Sequence, residues 1–411
     1  MRFLLNFVPH LALSVIATTI EDPSTRPISR AFRRAKRRSI IHHPSDNVVG
    51  LVKHQGHDLL RRRGVTAIEE SKWETAYVAP VEIDGKTFNL LVDTGSADTW
   101  VTTAKVNCTS ESQTCGSPAQ LEIKKDEKWE GDFSIGYGDG SKVSGTYTHR
   151  PLTIGSTKID DQVIAIADTT VDFRGLTIYD GLLGLSKRDT YDTLFFNMVK
   201  KGLLEDPCFS LVLLGDSDPN NNKDGGYLTF GGYPPAVKPT SDWAAAPLVQ
   251  ANPVHTYTIR VDGFKVAGKE VPNLGDAQRT VLVDSGTTFT MLHEAVAAEI
   301  WKGLPGEGSD PKTPCDESKP DLKCTDQKGR WRVPCKDGKM PEFSVVIDGI
   351  QFPMRKENLV VELNPGQCFA GIQPIKEGVP AILGLTWMRG VLSLFDYKDP
   401  KKPGIQFATY K

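Results

Sequence analysis

The sequence predicts an all-β protein built as two related lobes. Three observations predict it. Short apolar runs alternate with turn residues along the 411-residue chain, which carries 37 Gly and 27 Pro. An apolar strand ending in Asp, a hydroxyl residue and Gly occurs twice, at 89–96 and at 281–288. An apolar pair followed by Gly trails each copy, as Leu182-Leu183-Gly184 and Ile382-Leu383-Gly384. Repetition at the scale of a domain implies two lobes related by a pseudo-twofold axis, each contributing one carboxylate.

The first Asp motif reads Asn89-Leu90-Leu91-Val92-Asp93-Thr94-Gly95-Ser96, and the second Val281-Leu282-Val283-Asp284-Ser285-Gly286-Thr287-Thr288. In each, a buried strand delivers a carboxylate where the chain turns. The next hydroxyl can bond across to its counterpart, and Gly permits the turn and a close backbone approach. A single Asp-Thr-Gly is common in ordinary turns; two copies in matched surroundings are a specific signal. Gly184 lies 91 residues after Asp93, and Gly384 lies 100 after Asp284, so each Asp strand has a buried partner strand at similar spacing.

Paired carboxylates suggest a definite chemistry. A lone buried carboxylate simply titrates. Two held together cannot both ionise easily, so the pair keeps one proton over a broad acidic range. The ionised partner can take a proton from an attacking water while the protonated one polarises an amide carbonyl.

The N-terminus reads as a targeting segment. Met1-Arg2 precedes an apolar run to Ala17, with small or apolar residues at Val15-Ile16-Ala17, so 1–17 is taken as a signal peptide. That run is short for a membrane span, no other stretch has span length, and no anchor tail follows Gln406, so the expectation is a soluble, secreted protein. Residues 18–63 hold 11 Lys/Arg against 4 Asp/Glu, a charge of +7; residues 64–411 hold 37 against 47, a charge of −10. Behind a signal, a basic arm ahead of an acidic body reads as a propeptide lying on that body at neutral pH rather than as a nucleic-acid arm. Lys36-Arg37-Arg38 and Arg61-Arg62-Arg63 offer basic processing sites. The remaining chain divides into lobes at 64–240 and 241–411, with Gly231-Gly232-Tyr233-Pro234-Pro235 a turn-rich connection near the boundary.

Two helices are expected. One is at 190–199, with Leu194, Met198 and Leu203 spaced to face the core beside Phe195 and Val199; the other is at 293–301. The eight His show no ligand-like spacing in the body, so no metal is expected. Ser186 and Ser210 lack a nucleophile-elbow context, no phosphate loop is present, and no cofactor is called for.

On the two Asp motifs and their trailing strands, the chain from about residue 75 resembles the pepsin family of aspartic endopeptidases, and among them the secreted fungal ones. That resemblance implies a bilobal pepsin-like acid protease fold with a central substrate cleft. Asp93 and Asp284 would be the catalytic pair, Thr94 and Ser285 would tie the two loops together, and Ser96 and Thr287 would bond the outer carboxylate oxygens, with Gly95 and Gly286 at the turns. The hairpin Ser134-Ile135-Gly136-Tyr137-Gly138-Asp139-Gly140-Ser141 resembles the family's flap. Tyr137 would close over an extended peptide, and Trp100 would anchor it through its indole N–H. Phe173, Tyr179 and Leu182 would line a subsite. Asp139 reads equally as a solvated turn residue or as a carboxylate that accepts a substrate Lys just before the scissile bond. Leu385 stands where the family often has Asp. Cleavage after Arg63 would leave 29 residues before Asp93, close to the family's usual spacing.

Seven Cys imply disulfides with one sulfur left over. Cys108 and Cys115, close together in a loop after the first Asp strand, are read as a disulfide pair. The resemblance pairs Cys335 with Cys368, which leaves Cys315 with Cys324, although Cys315, Cys324 and Cys335 could exchange. Cys208 reads as a buried free thiol. Asn107-Cys108-Thr109 is an N-glycosylation sequon. The function expected is acidic-pH endoproteolysis of extended peptides by a monomer made as an inactive precursor, with the propeptide as its own inhibitor. A catalytically silent binding relative would be expected to have lost an Asp or the flap tyrosine, and a glycosidase would not set both Asp in matched Asp-hydroxyl-Gly turns.

Overall fold

A computed structural model of the chain describes residues 45, 47–55, 74–109, 119–173, 179–215, 225–249 and 256–411, the last apart from 305, 309, 317, 318, 320, 321, 328, 336–340, 365, 376 and 377. The expected signal peptide, most of the expected propeptide, the basic sites at 36–38 and 61–63, and Cys115 lie outside the described residues.

Strands dominate, as the sequence predicts. Eight make the first repeat: β1 (Val48–Gln55), β2 (Glu74–Ile83), β3 (Lys86–Asp93), β4 (Trp100–Thr109), β5 (Trp129–Gly136), β6 (Lys142–Ile154), β7 (Thr157–Val171) and β8 (Gly181–Gly184). β3 is buried along its C-terminal half, where Leu90, Leu91 and Val92 run into Asp93. It pairs antiparallel with β2 and parallel with β8, which places Asp93 opposite Gly184. β8 also pairs antiparallel with β4, and β4 runs parallel to β7.

The second repeat has the same pairings. Thr280–Val283 pairs antiparallel with Thr258–Arg260 and parallel with Ala381–Leu383. Ala381–Leu383 then meets Thr290–His293 antiparallel, and Thr290–His293 runs parallel to Ile372–Ile375. Two stretches that share a sequence motif therefore share a strand topology, with an Asp at the C-terminal end of the corresponding strand in each.

A common sheet joins the repeats. Cys208–Leu213 and Gly226–Phe230 pair with each other; Leu392–Asp396, Gly404–Ala408 and Ala244–Pro247 extend the sheet on one side, and β1 then β2 on the other. Phe209 and Phe395 stack across it with ring centroids 4.5 Å apart. Tyr257 donates its hydroxyl to Leu185 O at 2.7 Å, fastening the second repeat to the first. β1 lies within the segment expected to be the propeptide, and its Val49 and Leu51 are fully buried in the core.

Both expected helices form, with altered limits. The first runs Leu194–Lys200, so 190–193 are not helical. Thr193 is extended and its hydroxyl donates to Ser186 O at 3.0 Å, which makes it the start of the helix and not its interior. Gly202, with φ +65°, turns the chain away, so Leu203 does not reach the core face and stands exposed. The second helix runs Glu294–Gly303 and buries Val296, Ala297, Ile300 and Trp301. The buried Lys323 donates to Trp301 O and Leu304 O at its C-terminal end.

Cys335 pairs with Cys368 and Cys315 with Cys324, which resolves the open alternatives. Cys108 is disulfide-bonded. Cys208 is a free, fully buried thiol, and burial pushes it up to about 12.

The glycines of the trailing motifs carry a strict packing demand. A Cβ on Gly184 would lie 2.3 Å from the Ala97 carbonyl carbon, and one on Gly384 would lie 2.2 Å from Phe289 O. Both obstacles are backbone of the loop that follows the Asp. Gly184→Ala and Gly384→Ala should each cost about 2–3 kcal/mol by overpacking. Gly138→Ala, where a Cβ meets nothing within 4 Å, should be near neutral. Denaturant midpoints at constant slope read all three; an unshifted midpoint in either repeat's variant would contradict the packing argument.

Candidate active site

The two strands end side by side. Asp93 and Asp284 are both buried, and their loops meet so closely that a Cβ on Gly95 would sit 2.6 Å from the Asp284 carboxyl carbon. A Cβ on Gly286 would sit 2.5 Å from Asp93 Oδ1. Glycine is required at both turns because the opposing carboxylate occupies the space.

Each carboxylate is held the same way. Gly95 N–H donates to Asp93 Oδ1 at 2.7 Å, and the Ser96 hydroxyl donates to Asp93 Oδ2 at 2.5 Å. Gly286 N–H donates to Asp284 Oδ1 at 2.8 Å, and the Thr287 hydroxyl to Asp284 Oδ2 at 2.6 Å. Thr94 and Ser285 bridge the loops through backbone. Thr94 Oγ1 donates to Val283 O at 2.9 Å and accepts from Ser285 N–H at 3.0 Å; Ser285 Oγ donates to Val92 O at 2.7 Å and accepts from Thr94 N–H at 3.1 Å. Each hydroxyl thus bonds to the opposite strand's main chain, where the sequence suggested its counterpart hydroxyl. Ser186 supports the first loop by donating to Thr94 O at 2.8 Å.

Electrostatics follow from this packing. Burial first, and the charge of Asp284 second, push the Asp93 carboxyl far above the ordinary carboxylate range, against the opposing pull of the Ser96 and Gly95 hydrogen bonds. The pair therefore retains a proton where a free carboxylate would have lost it.

The hairpin β5–β6 lies over the first Asp loop. Tyr137 N–H donates to Ser141 O and Gly140 N–H to Tyr137 O, closing its tip, and Gly140 adopts φ +90°. Trp100 Nε1 donates to Tyr137 Oη at 2.8 Å, the anchor the sequence suggested. Phe173 joins them, with its ring centroid 5.1 Å from Trp100 and 5.5 Å from Tyr137, and Tyr179 lies 6.2 Å from Phe173. Leu182 is packed in the same cluster, almost fully buried. Asp139 is exposed, and its Oδ1 accepts from both the amide and the hydroxyl of Ser141, so one oxygen shapes the turn. Burial, then the charges of Asp139 and Asp93, raise the Tyr179 hydroxyl above its ordinary value.

Asn107 is exposed on β4. Leu385 is fully buried, and its amide donates to Thr287 O at 2.9 Å, so an apolar side chain packs behind the second Asp loop. Among the described residues one group of possible metal-ligand atoms gathers, Cys335, Glu362 and Cys368, and both sulfurs are taken up by the disulfide.

Sequence reasoning did not single out Asp98, Tyr147, Arg188 and Tyr191. Asp98 is buried five residues after Asp93 and accepts hydrogen bonds from the other three. The one signal in the sequence was a charged residue inside an otherwise buried run, and its partners are up to 93 residues away.

The shifted carboxyl gives stability a pH dependence of definite sign. A carboxyl raised in the folded state contributes stability that is full below its unfolded value, about pH 3.9, and is lost as pH rises towards the folded value. The parent should therefore lose stability between about pH 4 and neutrality, and Asp93→Asn should lose distinctly less over the same range. Rapid-mixing unfolding at the two ends reads the difference; equal pH dependence in both proteins would refute it.

A family model of eukaryotic aspartyl proteases matches residues 76–410. Rhizopuspepsin of Rhizopus chinensis is 29% identical over 329 residues, which cover 77% of this chain and 74% of that protein. Penicillopepsin-1 of Penicillium roqueforti is 28% identical over 344 residues, covering 80% and 77%. Rhizopuspepsin-4 of Rhizopus niveus is 27% identical over 324 residues, covering 77% and 72%. The matched span takes in both Asp turns, the hairpin and both trailing strands, and the chain is an aspartic endopeptidase that belongs to the eukaryotic aspartyl protease family.

Proposed function

We propose that Asp93 and Asp284 are the catalytic pair of a secreted endopeptidase made as an inactive precursor. The observation that carries this is the pair of buried carboxylates facing each other across crossed Thr94 and Ser285 bonds. With one proton shared, the ionised member takes a proton from water as it attacks the peptide carbonyl. The protonated member donates to the carbonyl oxygen; when the resulting tetrahedral diol collapses, the proton taken from water passes to the leaving amine and a diol hydroxyl returns its proton to the member that gave it. Thr94, Gly95 and Ser96, with Ser285, Gly286 and Thr287, fix the geometry. The hairpin with Tyr137, Gly138 and Asp139 closes over an extended peptide, held by Trp100, and Phe173, Tyr179 and Leu182 favour large apolar side chains beside the scissile bond.

Residues 1–17 are proposed as the signal, 18–63 as the propeptide, and 64–240 and 241–411 as the lobes of a monomer. Two features support a propeptide bound to the body. The charges are opposite, +7 against −10, and β1 contributes a buried strand to the common sheet. Falling pH protonates body carboxylates and weakens the attraction. The parent chain should be inactive near neutrality and yield a shorter active form below about pH 5. Asp93→Asn and Asp284→Asn, nearly isosteric, should each lower turnover by at least about a thousandfold while leaving the fold intact. Sequencing the new N-terminus and assaying a denatured protein, with and without a statine peptide, tests both parts. Near-parental turnover in either Asn variant would overturn the pair, and full activity of the uncleaved chain at neutral pH would overturn latency.

Asp139 is proposed to accept a substrate Lys just before the scissile bond. Ser141 orients its carboxylate, and its charge is felt at Tyr179 within the aromatic cluster. Asp139→Thr should then lower kcat/KM on a Lys peptide by about tenfold relative to the matched Leu peptide. Equal losses on both peptides would show that Asp139 only shapes the turn.

A further inference from the structure

We infer that Asp98 and Arg188 are positioning residues that set the flap, through a buried link found on the flap side of the dyad alone. Asp98 lies in the segment between Ser96, which bonds the outer oxygen of Asp93, and Trp100, which bonds Tyr137. Its carboxylate is buried and collects four hydrogen bonds. Tyr147 Oη donates to Oδ1 at 2.6 Å and Tyr191 Oη at 2.5 Å; Arg188 Nη1 reaches Oδ1 at 2.6 Å and Oδ2 at 2.5 Å.

The donors come from two other parts of the chain. Tyr147 belongs to β6, the return strand of the hairpin whose tip carries Tyr137. Arg188 and Tyr191 belong to the loop between β8 and the helix Leu194–Lys200. The Arg188 guanidinium lies over both tyrosine rings, 5.8 Å from that of Tyr147 and 5.3 Å from that of Tyr191, and the rings are 5.4 Å apart. The first Asp loop therefore grips the hairpin at two places, at the tip through Trp100 and along the return strand through Asp98. Arg188 is the charged partner of Asp98, and breaking a buried ion pair by removing one member leaves the other uncompensated.

The second repeat provides an internal control. The residue five after Asp284 is Phe289, which packs against Phe369 at 6.2 Å and has no carboxylate to offer. Its loop has the same glycine, the same outer-oxygen hydroxyl and the same crossed bond as the first. Whatever Asp98 does is thus unnecessary for holding a catalytic carboxylate, and it accompanies the hairpin.

This deepens the reading of Tyr137 as a flap residue, so its test includes a readout independent of turnover. Arg188→Met, Arg188→Lys and Tyr147→Phe are compared in the full chain. Hydrogen exchange is followed at the bonded amides of Tyr137 and Gly140, and kcat/KM is measured on a peptide spanning the cleft. Arg188→Met should speed exchange at the tip by about fivefold and lower kcat/KM by about tenfold, chiefly through KM. Arg188→Lys, which restores the charge, should recover most of both. Tyr147→Phe, the mildest change, should show the same direction and serves if Arg188→Met does not fold. Unchanged tip exchange in both Arg188→Met and Tyr147→Phe, or in Tyr147→Phe alone if Arg188→Met does not fold, would overturn the inference, as would a loss in Arg188→Met that Arg188→Lys fails to recover. A parent that cleaves no peptide would count against the proposed function alone, and the exchange comparison would still decide this one.

Discussion

Two carboxylates buried against each other are the constraint on which the rest of the structure depends. Holding them together is costly: burial penalises the charge, and the neighbour's charge penalises it further. Amide and hydroxyl donors from Gly95, Ser96, Gly286 and Thr287 offset part of the cost. The remainder appears as a proton retained on the Asp93 side of the pair. The surrounding structure removes the alternative of moving apart. Thr94 and Ser285 lock each loop to the other's strand, and Gly184 and Gly384 let the trailing strands press directly on the loops.

The twofold design is broken at the hairpin. The first repeat extends β5 and β6 into a hairpin, while the second devotes its corresponding length to short strands and two disulfides. A symmetric dyad thus has an asymmetric roof. Trp100 illustrates the division: its ring is fully buried among Phe173 and Leu182, yet its one polar atom is reserved for Tyr137.

What the sequence made legible was local and repeated. The Asp turns, the trailing Leu-Gly strands and the hairpin carrying Tyr137 each occupy a few consecutive residues, and their duplication or Gly content marks them. Helix limits were less legible, because Thr193 is recruited by Ser186 and Gly202 stops the helix before Leu203 can face inward. The Asp98 cluster was illegible for a different reason. Its members are scattered over three segments, and no spacing rule joins Asp98 to Arg188 across 90 residues. Asp139 was ambiguous in the sequence because a turn carboxylate and a reader of substrate have the same residue type; one of its oxygens is now accounted for by Ser141.

Other carboxylates of the first repeat behave oppositely to Asp93. Arg150 is fully buried in the first repeat and is bonded by Asp84 and Glu127. Burial tends to raise both acids. It is outweighed at Asp84 by Lys124 and Arg150, and at Glu127 by Thr148, the Lys124 amide and Arg150, so both carboxyls sit below their ordinary values. A depressed carboxyl contributes stability that is present above its unfolded value and lost only as pH falls through the folded one. These acids consequently stay ionised around Arg150 at pH values where ordinary surface carboxylates have begun to protonate. The Asp93 carboxyl shifts upward and the Arg150 partners shift downward, so the same repeat holds one carboxyl that keeps its proton and two that give theirs up to satisfy a buried cation.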